Sequence, residues 1–332
     1  MHFFVTGHTG FKGSWLILLL KEMGHEVSGY SLAPIEGGLF QKADLEKDVK
    51  NHFIGDIRDL DHLSRAIEAC KPDFAIHMAA QPLVLRSYAD PVETYTTNVD
   101  GTLNFLQAVT GLESPPISLV VTTDKVYRDE GKGSYSESDP LGGHDPYSAS
   151  KAMADILTQS WAATNPDLKL HIARAGNVIG AFDVCDNRLI PDAIKAYKSN
   201  ENLRIRNPIA VRPWQHVLDC LNGYLMFTEK SGEAPKVLNF GPSPDSFHSV
   251  DSVVREITSL MPGVKIEYES ASDSLVETGL LTLDSSAAQD SLGWSNKLNF
   301  EDSISWALAE LLNKNLTPKE TVLSQIRRFL DL

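Results

Sequence analysis

Short runs rich in β-branched and aromatic residues alternate with helix-patterned segments through the first half of this chain, which is how a parallel sheet covered by helices reads. The runs at 3–6, 26–30, 52–55, 74–77, 118–122 and 169–174 are expected strands. Between the first two, Leu16, Leu19, Leu20 and Met23 fall at i, i+3, i+4 and i+7, one face of a helix that Gly24 stops. A second helix starts after Asp59, whose short carboxylate suits a cap, and turns Leu63, Ala66 and Ile67 inward. Further helical patterns cover 92–109 and 147–163.

After about residue 175 the rhythm changes. Pro191, Pro208, Pro213, Pro235, Pro242 and Pro244 punctuate short segments, the mark of a smaller substrate-covering region rather than an independent domain behind a linker. At 332 residues, 42% hydrophobic, the chain can fill one large core or two joined ones. A net charge of −14 argues against a nucleic-acid partner, because phosphates need a basic face. No stretch nears the roughly 18 apolar residues that span a bilayer, so no membrane partner is expected. Candidate chemistry begins at residue 7, which leaves no room for a signal peptide. Cys70, Cys185 and Cys220 lack metal-ligand spacing and read as reduced thiols of a cytoplasmic protein, with no metal site.

The first strand runs into Gly7-His8-Thr9-Gly10-Phe11-Lys12-Gly13 and then a helix. Gly7 permits a tight turn, Gly10 lets backbone approach a pyrophosphate, and Gly13 lets the helix pack on the strand. The helix N-terminus presents free N–H groups to the phosphates. The fold expected is therefore an α/β, Rossmann-type doubly wound parallel sheet over 1–175. Residues 176–332 are expected to bind substrate, with part of them returning to the sheet. After the second strand stands Tyr30-Ser31-Leu32-Ala33, with neither the usual ribose-binding acid nor an arginine for a 2′-phosphate. NAD is the expected cofactor, its adenosine end meeting Asp56 and Ile57 after the third strand.

Tyr147 and Lys151 lie four residues apart, on one face of the helix expected there. A nearby ammonium favours the phenolate, lowering a pKa of about 10 in an unperturbed phenol. The pair follows a strand that ends Thr122-Thr123-Asp124-Lys125. With the glycine triplet, Asp56 and Asn98, these residues resemble the extended short-chain dehydrogenase/reductase family. Within it the chain is similar to the branch that dehydrates CDP-glucose, on Thr6-Gly7-His8-Thr9-Gly10-Phe11-Lys12-Gly13-Ser14-Trp15, Gly55-Asp56-Ile57-Arg58-Asp59, His77-Met78-Ala79-Ala80-Gln81-Pro82 and Arg212-Pro213-Trp214-Gln215-His216. The likeness covers nearly the whole chain.

The resemblance implies a catalytic set of Thr123, Asp124, Lys125, Tyr147 and Lys151. It implies an NAD site of Gly7, Thr9, Gly10, Phe11, Gly13, Asp56, Ile57, Ala79, Ala80 and Asn98, together with Tyr147 and Lys151. For a nucleotide-sugar substrate it implies Gln81, Arg86, Asn177, Arg188 and Arg212, the last suited to phosphate by its planar fork. Sugar dehydratases of the family carry an acid–base pair after the threonine, where epimerases have small unreactive residues; Asp124-Lys125 is the pair of the CDP-glucose branch. The implied reaction oxidises C4, removes water across C5 and C6, and returns the hydride to C6. A 4-epimerase, a dehydratase of another nucleotide sugar and a non-catalytic dinucleotide sensor are the rival readings. The resemblance also implies a homodimer through the helices near 92–109 and 147–163. His77 reads as a packed histidine rather than a catalyst. Two departures, a shorter segment at 128–134 and Ala181-Phe182-Asp183-Val184 in place of Gly-Gly-Gly-Asp-Trp, bear on the base and the sugar stereochemistry. With no arginine after the second strand, NAD is predicted to bind more tightly than NADP. A fluorescence titration giving the opposite order would overturn that expectation.

Overall fold

The structure, a computed structural model, describes residues 1–232, 234–269, 282–313 and 315–332. Seven strands form one parallel sheet: β1 His2–Thr6, β2 Glu26–Ser31, β3 Asn51–Ile54, β4 Phe74–His77, β5 Ile117–Thr123, β6 Leu170–Ala175 and β7 Val237–Phe240. Their spatial order is β7-β6-β5-β4-β1-β2-β3, and Phe3 stands in register with both Val27 and Phe74. The order reverses between β1 and β4, which opens a crevice at the carboxyl ends of those strands.

The pleat sends alternate residues to opposite faces. Phe3 and Val5 of β1 enter one core with α1 (Phe11–Glu22), while Phe4 enters another with α2 (Leu60–Cys70) and α3 (Gly101–Thr110). Helix α4 (Pro146–Thr164) lies on the second side, where Leu157 and Trp161 pack against that core. Helix α1 departs from the one-faced pattern expected of it. Gly13 to Leu20 are all buried, because α6 (Val217–Glu229) and α7 (Pro318–Asp331) cover the side away from the sheet, and Met23 is left partly exposed. Asp59 caps α2 as expected, accepting a hydrogen bond from the His62 N–H.

The helix expected at 92–109 is broken in the middle. Pro91–Tyr95 and α3 are joined by a π-helical turn, Thr96–Asp100, which inserts a residue into the helical repeat and re-aims the side chains around it. In the C-terminal half, α5 (Leu189–Ser199), the strand Asn202–Ile205 and the helices Val250–Leu260 and Phe300–Ala307 surround a smaller core of Ile190, Leu203, Val253, Ile257 and Ile304. The return to the sheet is larger than the pattern suggested, since β7 supplies a whole edge strand. Among the described residues no helix is long and apolar enough to cross a membrane, and all three cysteines are unpaired.

One polar group interrupts the apolar interior under α4. Arg174, on β6 and 1% exposed, donates from Nε and Nη2 to the two carboxylate oxygens of Asp155 on α4, at 2.9 and 2.8 Å. Thr122 of β5 donates to the same carboxylate at 3.0 Å, and a second Arg174 arm reaches the Tyr127 hydroxyl at 2.9 Å. Tyr127 in turn donates to Asn239 on β7. Arg174→Met removes one partner and strands a buried carboxylate, which typically costs about 3–5 kcal/mol. Urea unfolding should show a loss of that size; a change under 1 kcal/mol would mean that water reaches Asp155.

Candidate active site

The carboxyl ends of the central strands open into a cavity of about 1740 Å³. Its floor at β1 is the glycine turn. Gly7 has φ +76°, and a Cβ there would lie 2.9 Å from the Ala79 nitrogen, so only glycine lets the turn approach the loop after β4. A Cβ on Gly13 would lie 2.3 Å from the Gly7 carbonyl oxygen, which explains the close seat of α1. No side chain caps α1 and no acid stands in its first turn, so its leading N–H groups face the cavity without a competing anion. That arrangement fits a dinucleotide pyrophosphate.

Gly7, Thr9, Gly10, Phe11, Gly13, Ile57, Ala79 and Ala80 all line the cavity. Thr9 also ties the turn to β2, its hydroxyl 2.7 Å from that of Ser31. Asp56 lines it too, but its carboxylate is engaged by Arg58, at 2.9 Å from Nε and 2.5 Å from Nη2, and this holds its pKa below the usual carboxylate range. Arg58 is thereby committed as well. Asn98 lies one layer behind the wall. Buried by the π turn, it accepts from the Gln81 N–H at 2.8 Å and donates to the Gln81 carbonyl at 3.1 Å and to Ser150 at 2.9 Å.

The reacting groups gather where β5 ends against α4. Asp145 and Pro146 start α4, the carboxylate accepting from the Ser148 N–H at 2.9 Å, so Tyr147 falls in the first turn and faces the cavity. Thr123 donates to Asp124 Oδ1 at 2.7 Å and also hydrogen-bonds the Tyr147 phenol. Asp124 is buried, with Gly176 close against its other oxygen. Lys125 lines the cavity, and its ammonium meets no partner among the described residues. Lys151 donates to the Val121 carbonyl at 3.0 Å.

The expected lowering of the Tyr147 pKa by its lysine is not what the geometry gives. Burial pushes the phenol up to about 12; the Thr123 hydrogen bond and the Arg188 charge oppose this, while Asp124 adds to it. Burial, then the nearby Lys12 charge, pushes the Lys151 ammonium down to about 8. The lysine is turned to a backbone carbonyl instead of the phenol, so desolvation dominates both groups.

The substrate positions all border the cavity, and Arg188 is paired there with Asp183 at 2.8 Å. Asn177, Arg188 and Arg212 line the cavity, Arg212 buried on the short strand Val211–Pro213. Gln81 and Arg86 also line it, yet both are spent within the protein. The Gln81 amide bonds Leu83 and Thr94, and Arg86 closes its fork on Glu93 at 2.8 and 2.6 Å. They shape the wall. His77 is packed as expected, bonded to Thr6 at 2.8 Å and stacked on Phe105, and burial pushes its pKa down to about 3. His144 is exposed and away from the cavity.

Several lining residues escaped the sequence reading. Arg204, Arg206 and Asn207 border the cavity from the strand Asn202–Ile205 and its end. The alternation there, with Leu203 and Ile205 buried between polar neighbours, carries the signal that would have found them.

Fold and site are those of a Rossmann-type protein of the extended short-chain dehydrogenase/reductase class. The chain belongs to the GDP-mannose 4,6 dehydratase family, whose profile matches residues 4–306. Among curated relatives, the CDP-glucose 4,6-dehydratase of Salmonella typhimurium strain LT2 is 39% identical over 325 residues, 94% of this chain and 88% of its own length. Of solved structures, the dTDP-glucose 4,6-dehydratase of Streptomyces venezuelae with NAD and TYD bound superposes with a TM-score of 0.79 at 25% identity, covering 93% of this chain and 97% of its own. The dTDP-glucose 4,6-dehydratase of Bacillus anthracis in complex with NAD gives 0.81 at 24% identity, covering 95% and 97%, a likeness of fold.

Proposed function

We propose that this protein dehydrates a nucleotide-activated hexose, CDP-glucose, to the 4-keto-6-deoxy sugar with NAD as an internal hydride carrier. The observation that carries the reading is Asp124-Lys125, a buried acid and an ammonium with no partner among the described residues, in the same cavity as Thr123, Tyr147 and Lys151. An epimerase has no use for the first two. The 39% relative that bears the CDP-glucose dehydratase name supports the choice of base.

NAD, held by the glycine turn and the start of α1, would supply a reversible hydride acceptor for the sugar's C4 and C6. Tyr147 takes the C4 hydroxyl proton, its oxygen within hydrogen-bond reach of the Thr123 hydroxyl. Lys151, which keeps its proton through the neutral range, supplies a cation one turn further along α4. The new ketone acidifies the C5 hydrogen. Lys125, in its neutral form, takes the C5 proton while Asp124, in its acid form, gives a proton to the C6 oxygen, which leaves as water. Hydride at C6 and a returned proton at C5 complete the product, one water lighter than the substrate. The planar fork of Arg212 suits the diphosphate, and Asn177 and Arg188 line the same cavity. Gly7, Gly10 and the start of α1 hold the cofactor's pyrophosphate, and Asn98 serves it indirectly by fixing Gln81.

The test is incubation with CDP-, dTDP-, UDP- and GDP-glucose, reading each product by mass. The CDP sugar should lose one water; an unchanged mass would mean epimerisation or no reaction. Asp124→Asn keeps the shape but cannot supply the proton, so water loss should slow by about 10²–10⁴-fold while bound NADH accumulates. Lys125→Met should exchange much less C5 hydrogen for solvent deuterium. Wild-type rates in both variants would make the pair structural.

A homodimer is the second part of the reading. Val92, Tyr88, Met153 and Ile156 are exposed on the helices from 84 to 164, an apolar surface that a second copy would cover. Ile156→Glu should halve the mass seen by sedimentation; a wild-type monomer would overturn this. Unpaired thiols suit a reducing compartment, which supports a cytoplasmic location.

A further inference from the structure

The turn from 180 to 188, which includes the departure at Ala181-Phe182-Asp183-Val184, borders the cavity with an unusual backbone. Phe182 and Asn187 both have φ +62°, a region that favours glycine. Phe182 nevertheless holds it, because its ring is buried in the main core and the Trp15 indole N–H donates to the preceding Ala181 carbonyl at 3.1 Å. These contacts tie the turn to the Rossmann core, and Asp183 follows at once. Its buried carboxylate accepts from the Cys185 N–H at 3.1 Å and from Arg188 Nη1 at 2.8 Å. The other Arg188 donors meet no acceptor among the described residues.

We propose that Asp183 is a positioning residue, holding the Arg188 guanidinium in the cavity that it shares with the Tyr147 phenol. This rests on the dehydratase reading, and it assigns Arg188 a place at the reacting end of the sugar. The groups acting on that phenol are Thr123 at the end of β5, Asp124 after it, Asp145 at the cap of α4, Tyr224 on α6, and Arg188. Two acids oppose the phenolate, and Arg188 is the cation that acts on it directly. A guanidinium swinging free on its stem would spread that charge into solvent. Tied to Asp183, it keeps one arm fixed and turns the others to the substrate.

The experiment compares wild type with Asp183→Ala, Asp183→Glu, Arg188→Met and the Asp183→Ala/Arg188→Met double variant, reading kcat and KM for CDP-glucose across pH together with Tm. Removing the cation raises the phenol's pKa, so the limb on which rate climbs with pH should move to higher pH. At neutral pH the rate should fall roughly tenfold for each unit of that move. Asp183→Ala should move the limb as Arg188→Met does, the double variant should add nothing further, and Asp183→Glu should restore most of the wild-type profile. A lower Tm with an unmoved limb, or losses that multiply in the double variant, would overturn the proposal. Should Asp183→Ala fail to fold, Arg188→Met and Asp183→Glu still decide it, because neither removes the anchor from the turn. A failure of the dehydratase reading would show separately, as a wild-type protein that removes water from no nucleotide sugar. In that case 3,5-difluorotyrosine at 147 brings the phenol into titratable range, and fluorine NMR of the ligand-free protein reads whether Arg188→Met and Asp183→Ala shift it together.

Discussion

Arg174 and Asp155 meet under α4 with almost no water near them, and the register of the helix over the sheet follows from that meeting. Two charges taken out of water are tolerated only when their geometry is close and their remaining donors and acceptors are met. Here the fork is bidentate, Thr122 fills another lone pair of Asp155, and Tyr127 takes the third arm. Tyr147, Lys151 and Asp155 are spaced by four along α4, so they share one face. Fixing Asp155 against β5 and β6 therefore fixes where the phenol and the ammonium stand relative to Thr123, the residue after Thr122. A slide of the helix by one turn would break the ion pair before it misplaced the site.

The same dryness sets the electrical character of the cavity. Desolvation drives a phenol towards its neutral form and an ammonium towards its neutral form, so each is held away from the charge it carries in water. Charges brought close in such a place act strongly on one another, because little solvent screens them. Lys12, anchored on the Tyr224 hydroxyl at 3.2 Å, contributes to the depression of Lys151 from the far side of the glycine turn. The turn that cradles phosphate and the groups that move protons thus belong to one electrostatic unit.

Much of this was legible in the sequence because it depends on local repeat. Strands β1 to β6 and helices α2 and α4 announce themselves by period, and the glycine turn by its spacing. What period cannot report is whether a side chain has already spent its hydrogen bonds. Gln81 and Arg86 look like ligands in one dimension and are found closed on Thr94 and Glu93. Asn98, which the resemblance offers as a cofactor contact, lies in the π turn and is bonded to Gln81 and Ser150. The buried Arg174 network joins residues 47 and 112 positions apart, beyond any window of pattern reading. Strand β7 is four residues long between prolines, too short for alternation to distinguish it from a loop.

That short strand has a consequence for how such proteins can be recombined. Val237–Phe240 lies against β6 in parallel, Leu238 opposite Ala173, and Asn239 holds the Tyr135 and Asp284 carbonyls as well as the Tyr127 hydroxyl. A crossover that joins the first 175 residues of one relative to the remainder of another does not exchange a self-contained module. It grafts a foreign edge strand onto the host's sheet, with a foreign asparagine asked to complete a native polar network. Chimeras should therefore tolerate exchange of the whole smaller core, the 189–205 segment together with the helices Val250–Leu260 and Phe300–Ala307 that pack on it, better than exchange at the apparent boundary. The unit that evolution can swap is smaller than the unit that composition suggests.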